Sequence, residues 1–232
     1  MLRQTYIRDM PVEAFFSQIR SVENANDRLQ NFVAAQHLYN SAIKEITTKL
    51  EILNEEFQIR YDHNPIHHLE SRLKSPKSIV EKLVRLGHPV STEAAREHIF
   101  DIAGIRVICH YTDDIYTIAQ SLIRQDDIDL ITIKDYIKNP KPNGYRSLHL
   151  LVKVPIFLKE TTEIIPAEIQ IRTIAMDFWA SLEHQLRYKS SRSQSSELEA
   201  VLKECAEESS RLDSKMQEIF RKIQDDAQNG EK

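Results

Sequence analysis

The sequence predicts an α+β fold: a mixed β-sheet of four to five strands flanked by helices, with helical extensions at both ends. Two stretches predict the sheet. Leu148, Leu150, Val152 and Val154 alternate with His149, Leu151 and Lys153, while Ile169 and Ile171 alternate with Glu168, Gln170 and Arg172. A period of two marks strands with one face in a core. The third observation is the change of period outside them. From about Pro11 to Phe57, and again from Ser195 to about Ala227, apolar residues recur at three- and four-residue intervals, as on helices. The chain divides accordingly into a helical N-terminal extension (1–60), a central domain (61–190) and a C-terminal amphipathic helix suited to oligomerisation (191–232).

With 232 residues the chain can bury one core plus appended helices. A net charge of −4 argues against a stable nucleic-acid partner held by bulk charge. Two cysteines cannot form a disulfide framework, and no leader or long apolar span appears, so a cytoplasmic protein with no membrane partner is expected. The four glycines form no G-x-x-x-x-G-K, so any nucleotide phosphates must be held by side chains.

Taken in order, the N-terminal helices carry Leu29, Phe32, Val33, Leu38, Ala42, Ile43, Ile46 and Leu50 as a scaffold stripe. The run His63 to His68 invites a zinc reading, but its spacing matches no common zinc pattern. Ser75 and Pro76 then start a helix and Gly87 stops it. Lys74, Ser78, Lys82 and Arg85 share one face of this helix, and Ile79, Leu83 and Leu86 line another. The basic face is either solvated or a phosphate site. Ser91 caps a short helix that leads to Asp101 and to a strand carrying Arg106. Asp113 and Asp114 open a helix whose Ile115, Ile118, Ala119, Leu122 and Ile123 face the sheet.

Ile128 to Asp135 is a further strand. Lys134, Lys138 and Lys141 lead from it into the turn-forming Asn143-Gly144, and Tyr145, Ser147 and His149 share a face where loop becomes strand. An aromatic ring, a hydroxyl and an imidazole beside lysines suit something flat and anionic; a solvated edge strand is the plainer alternative. Asp101 and Glu168, each at or in a strand and facing basic residues, fit a Mg²⁺ site for phosphate chemistry, since Mg²⁺ takes one or two carboxylates and leaves the rest to water and phosphates.

The stretches DIAGIRV, NGYRSLH, EIQIRT and WASLEHQLRYK, in this order and with these gaps, resemble the synthetase domain of RelA/SpoT-type alarmone (guanosine tetra- and pentaphosphate) synthetases, over roughly Asp62 to Lys189. With no His-Asp pair and little chain after this region, the small stand-alone class is the one it looks like. The resemblance implies a core like the DNA polymerase β-like nucleotidyltransferases, and transfer of the β,γ-pyrophosphate of ATP to the 3′-hydroxyl of GDP or GTP with AMP leaving. It implies Arg72 and Arg106 stacking on adenine, with Lys74, Ser78, Lys82 and Arg85 on the ATP phosphates. It also implies Lys134, Lys141 and His149 on the acceptor 5′-phosphates, Tyr145 stacking on guanine with Gln170 on the same side, Asp101 holding Mg²⁺, and Glu168 taking the hydroxyl proton, placing the ion, or both.

Asp177, one turn into the helix after EIQIRT, is a candidate reader of guanine, because a carboxylate can accept from both N1–H and N2–H₂. In that helix Ala175, Phe178, Trp179, Leu182 and Leu186 are expected in the core, and Asp177, Ser181, His184 and Tyr188 on a polar stripe. The last helix carries a heptad seam of Leu198, Leu202, Cys205, Ser209, Leu212, Met216, Ile219 and Ile223, for its own domain or another subunit. The resemblance favours a homotetramer through terminal helices. Two rivals stay open: a related nucleotidyltransferase releasing pyrophosphate, and a non-catalytic nucleotide- or RNA-binding module.

Overall fold

The structure is a computed structural model that describes residues 25–189 and 196–230, with side-chain surroundings for 33–186 and 198–226. The helical run expected before Ala25, and the side chains of Leu29, Phe32 and Tyr188, lie outside what is described.

Five strands form one sheet in the order β1-β2-β5-β4-β3: β1 Ile66–Leu73, β2 Ala103–Cys109, β3 Asp129–Asp135, β4 Leu148–Phe157 and β5 Thr162–Thr173. β2 and β5 run parallel, and the other neighbours are antiparallel. One face is apolar. Ile105, Val107, Leu150, Val152, Val154, Ile169 and Ile171 are buried there, against Ala42, Ile43, Ile46 and Leu50 of α1 (Ala25–Arg60) and Ile115, Ile118, Ala119 and Leu122 of α4 (Thr112–Ile123). The stripe of α1 is thus a wall of the core, although Val33 stays exposed. The alternating residues of the strands face the other way and build the site.

Helix α2 (Pro76–Leu86) begins and ends as its sequence requires. Ser75 Oγ accepts from Ser78 N, and Gly87 closes the helix in the left-handed region at φ 76°. Leu83 is buried, but Leu86 on the last turn is half exposed. α3 (Thr92–His98) is capped by Ser91. These caps put Lys74 and Lys82 at the mouth of the strand that follows Asp101.

The first of the two C-terminal helices departs from expectation. In α5 (Ile174–Lys189) Phe178, Leu182 and Leu186 are 64, 44 and 46 % exposed, and the packed face is Met176, Trp179 and Ala180. In α6 (Ser196–Gly230) the seam residues Leu198, Cys205, Leu212, Met216, Ile219 and Ile223 are exposed. This helix meets its own domain through small and polar groups and through Phe220, whose ring stacks on Tyr111 at 4.2 Å and lies 4.5 Å from His63. Ala206 and Gln217 are buried, Ser209 Oγ donates to Ala175 O at 3.1 Å, Thr173 Oγ1 donates to Asp213, and Gln217 accepts from Asp113 N at 3.0 Å. Trp179 Nε1 donates to Leu202 O at 2.8 Å, in a cluster of Trp179, Ala180, Ala206 and Tyr145.

Close approach explains the small residues. Gly144 has φ +89°, and a Cβ there would lie 2.6 Å from that of Ala206. Gly144→Ala therefore meets both a left-handed backbone penalty, about 1–2 kcal/mol, and a clash with α6. We expect a lower unfolding midpoint and, because the same loop carries Tyr145, weaker guanine-nucleotide binding with ATP affinity unchanged. Thermal unfolding and the two KM values check this.

Candidate active site

Strand register sets the site out in two rows. Glu70, Arg106, Gln170, His149 and Lys134 are successive cross-strand partners over all five strands, and Arg72, Gly104, Glu168, Leu151 and Thr132 form the next row. Neighbouring strands are about 4.8 Å apart, so each row spans roughly 19 Å. Gly104, with no side chain, opens the row between Arg72 and Glu168. A cleft of about 500 Å³ lies there, lined by Glu70, Arg72, Lys74, Asp101, Arg106, Glu168 and Gln170 among others. A second cleft, of about 200 Å³, is lined by Lys82, His98, Phe100, Asp101, Thr132, Lys134, His149 and Glu168. The two carboxylates border both clefts.

Asp101 lies at the turn into β2, between two ammonium groups. Lys74 Nζ donates to Oδ2 at 2.8 Å, and Lys82 Nζ lies 2.8 Å from Oδ1. Burial alone would push the Asp101 carboxyl up, but the two lysines more than reverse this and hold it below the ordinary value. Oδ1 is buried and has no aligned hydrogen bond, so its contact with Lys82 is ionic and not directional. A carboxylate oxygen in that condition suits a cation.

Glu168 is held by two donors. His149 Nδ1 is 3.0 Å from Oε1, and Gln170 Nε2 donates to Oε2 at 2.9 Å. Burial raises this carboxyl, and the His149 and Gln170 contacts overcome it, leaving the group below its ordinary value. The proton positions follow from the neighbours. An ionised Glu168 accepts only, so Nδ1–H of His149 donates to it. Arg172 Nη2 donates to Tyr145 Oη at 2.6 Å, and Tyr145 Oη lies 2.8 Å from His149 Nε2. Arg172, Tyr145 and His149 thus form one chain of contacts that ends on Glu168.

Arg172 is the hub. It is buried, donates to Gln170 Oε1 at 2.8 Å and Asp177 Oδ1 at 3.0 Å, and fixes the Gln170 amide so that its NH₂ faces Glu168. Strand parity with Glu168 could have singled it out. Tyr136 was also not anticipated: its ring meets His149 and Tyr145 edge to face, and the Lys141 ammonium lies 4.6 Å from both the Tyr136 and Tyr145 centroids. Burial lowers the Lys141 pKa.

Tyr145→Phe tests the hub. The ring stays, but Arg172 and His149 each lose a buried partner, which costs about 1–3 kcal/mol. The expected result is a lower unfolding midpoint and a lower kcat with little change in acceptor KM.

Most of the expected residues converge, with differences of side. Gln170, expected with the acceptor group, is the register partner of Arg106 and lines the cleft of the arginines. Lys82, expected with Lys74, reaches past Asp101 into the cleft of Lys134 and His149. Ser78 is spent on the cap, where its hydroxyl lies 2.9 Å from that of Ser75, and Arg85 is exposed on the last turn of α2; neither lines these clefts. Asp177 does not offer two unengaged oxygens to a base, because Oδ1 is shared by Arg172 and, at 3.5 Å, by Arg106. The histidine run is used internally: His63 Nε2 sits 2.9 Å from both oxygens of Asp114, and His67 and His68 meet through Nδ1 at 2.7 Å. Among the described residues no group of three or more His, Cys, Asp or Glu is arranged to hold a metal ion.

Residues 71–193 match the family described as the region found in RelA / SpoT proteins. This span begins within β1 and includes every strand after it. The chain belongs to the RelA/SpoT family. It is 47 % identical over 186 residues to the GTP pyrophosphokinase YwaC of Bacillus subtilis, covering 80 % of this chain and 89 % of that one. The crystal structure of small alarmone synthetase 2 from Bacillus subtilis superposes with a TM-score of 0.76 at 45 % identity, covering 83 % of this chain and 99 % of that one. That of small alarmone synthetase 1 from the same organism, bound to its product pppGpp, gives 0.75 at 37 %, covering 80 % and 94 %. The nucleotidyltransferase-like sheet of these RelA/SpoT relatives is thus the sheet of this chain.

Proposed function

We propose that this chain is a GTP pyrophosphokinase that makes guanosine tetra- and pentaphosphate, moving the β,γ-pyrophosphate of ATP to the 3′-hydroxyl of GDP or GTP and releasing AMP. One observation carries the reading: Asp101 and Glu168 border two clefts on the same sheet face, as a transfer between two bound nucleotides requires.

The larger cleft takes ATP. Arg72 and Arg106 are diagonal neighbours across β1 and β2, roughly 7–8 Å apart at the backbone. A base in van der Waals contact with a guanidinium plane on each side needs about 7 Å, which matches. Lys74 and Lys82, now on Asp101, turn to the ATP phosphates, with Ser78 and Arg85 further along α2. The acceptor lies on the other side: guanine on Tyr145, its 5′-phosphates near Lys134, Lys141 and His149, and Asp177 Oδ2 as the oxygen left for a guanine donor. Gln170 serves this side by fixing Glu168.

Glu168 accepts the proton of the 3′-hydroxyl as that oxygen bonds to the β-phosphorus and the bond to the AMP oxygen breaks. Arriving polyphosphates raise the affinity of Glu168 for that proton, since like charge disfavours the carboxylate. Positioning and charge neutralisation supply most of the rest. Asp101, with its unaligned buried oxygen, and Glu168 together fit Mg²⁺, whose preference for one or two carboxylates plus phosphates this pair meets. Such an ion, when bound, neutralises charge on the transferred phosphates.

The apolar stripe left exposed on α6, Leu198, Val201, Leu212, Met216, Ile219 and Ile223, supports assembly through terminal helices, and we extend the reading to a homotetramer. A role in stringent-response signalling and a cytoplasmic site of action complete the proposal; among the described residues no helix is long and apolar enough to cross a membrane. The test is acceptor chemistry. AMP should form with GDP or GTP and not with 3′-deoxyguanosine diphosphate; equal release with the 3′-deoxy compound would refute transfer to that hydroxyl.

A further inference from the structure

We propose that Glu70, a residue to which neither motif nor relative gives a role, is a positioning residue that sets the Arg106 guanidinium plane for the donor base. The inference rests on the reading of the larger cleft as the ATP site.

Glu70 is the register partner of Arg106 at the β1 end of the polar row, and its Oε2 accepts from Arg106 Nη1 at 2.8 Å. The same Nη1 lies 3.5 Å from Asp177 Oδ1, so carboxylates from two separate elements hold one end of the guanidinium. Its Nε is buried with no hydrogen-bond partner, which leaves the two carboxylates as the anchors of the group. On the far side of Glu70, His68 Nε2 is 3.7 Å from Oε1.

The geometry decides between two roles. A guanidinium donates its N–H bonds in its own plane, whereas a base stacks on its face. The two contacts are perpendicular and can be made together. Glu70 therefore does not compete with the base for Arg106, unlike Asp101, whose oxygens hold the lysine charges that phosphates would take. Fixing the plane beforehand removes rotamer freedom that the base would otherwise have to freeze out. Glu70, Arg72 and Arg106 all line the same cleft, so the anchored plane borders the space that the second arginine also borders.

Glu70→Gln keeps the shape and removes the charge. We expect KM for ATP to rise about tenfold with kcat nearly unchanged, as for the loss of one charge-assisted contact. With CTP as donor, whose smaller ring gains less from stacking, the rise should be smaller, so the preference for ATP over CTP narrows. Glu70→Asp, which keeps the charge on a shorter arm, should recover part of the ATP affinity. In an Arg106→Ala background Glu70→Gln should add nothing, because the pair acts as one unit. Circular dichroism and the unfolding midpoint identify a variant that fails to fold, and the Glu70→Asp comparison then still decides. An unchanged or lower KM in Glu70→Gln, or the same loss with and without Arg106, overturns the inference. If Arg106→Ala itself leaves KM for ATP unaltered, the donor-site reading fails instead.

Discussion

Glu168→Gln is expected to lower kcat by about 10²–10⁴-fold, the range for loss of a positioned general base, while the protein unfolds at close to the wild-type temperature. The fold should survive because the substitution preserves most of the surroundings. His149 Nδ1–H can still donate to the amide oxygen, 3.0 Å away in the wild type. The new NH₂ then faces the NH₂ of Gln170, whose own oxygen is fixed by Arg172 at 2.8 Å. One donor-to-donor contact costs about 1 kcal/mol, or roughly 2–4 °C in a chain of this size. A variant with near wild-type turnover would remove the base role. The pH dependence has a definite sign. The folded-state carboxyl lies below its ordinary 4.5. Its contribution to stability is therefore complete above that value and is lost as pH falls through the lower folded value. Wild-type stability should fall more steeply on the acid side than that of Glu168→Gln.

Asp101→Asn should cost as much activity by another route. Among the described residues its Oδ1 is the one buried carboxylate oxygen without an aligned hydrogen bond, and in the proposed reaction its charge draws Mg²⁺ between the clefts. Loss of a ligand worth several kcal/mol translates to about 10²–10⁴-fold in rate. The signature is a raised requirement for Mg²⁺, with partial recovery at high Mg²⁺, which Glu168→Gln should not share to the same degree. In the absence of nucleotide, Lys74 and Lys82 lose their shared counter-charge. Since Asp101 is 23 % exposed, the two ammonium groups can turn to water, and the loss of stability stays well below that of a fully buried pair. An Asp101→Asn enzyme with unchanged Mg²⁺ dependence would exclude Asp101 as the metal ligand.

The parts of this site that were legible in the sequence are those governed by local rules. Alternation in β4 and β5 put His149, Glu168, Gln170 and Arg172 on one face, and the Ser75 and Gly87 caps fixed the ends of α2. What was not legible depends on partners far along the chain. β1 was hidden because His67, His68 and Glu70 give it little apolar contrast, and its partner β2 lies some thirty residues on. Gln170 changed sides for the same reason: parity gives the face of a strand, but only the strand order tells which cleft lies over it, and Lys82 on α2 follows Asp101, a partner outside its own helix.

Helix α5 misleads in a different way. The spacing of Phe178, Leu182 and Leu186 is that of an amphipathic helix, but α5 hangs from the end of β5, and Asp177 must turn to Arg172. That rotation buries Met176 and Trp179 and leaves the larger stripe outside. α6 packs where the Gly144 loop approaches within contact of Ala206, so only small side chains fit between them. Of the heptad seam, Ser209 meets Ala175 of its own domain, while Leu198, Cys205, Leu212, Met216, Ile219 and Ile223 are exposed.

Pyrophosphate transfer itself is tested most directly by the fate of the β-phosphorus of ATP. With β-labelled ATP, GDP or GTP, and Mg²⁺, the label is expected in guanosine tetra- or pentaphosphate, with unlabelled AMP released in equal amount. Label appearing instead as free pyrophosphate, with the AMP portion joined to an acceptor, would contradict it and identify a nucleotidyltransferase.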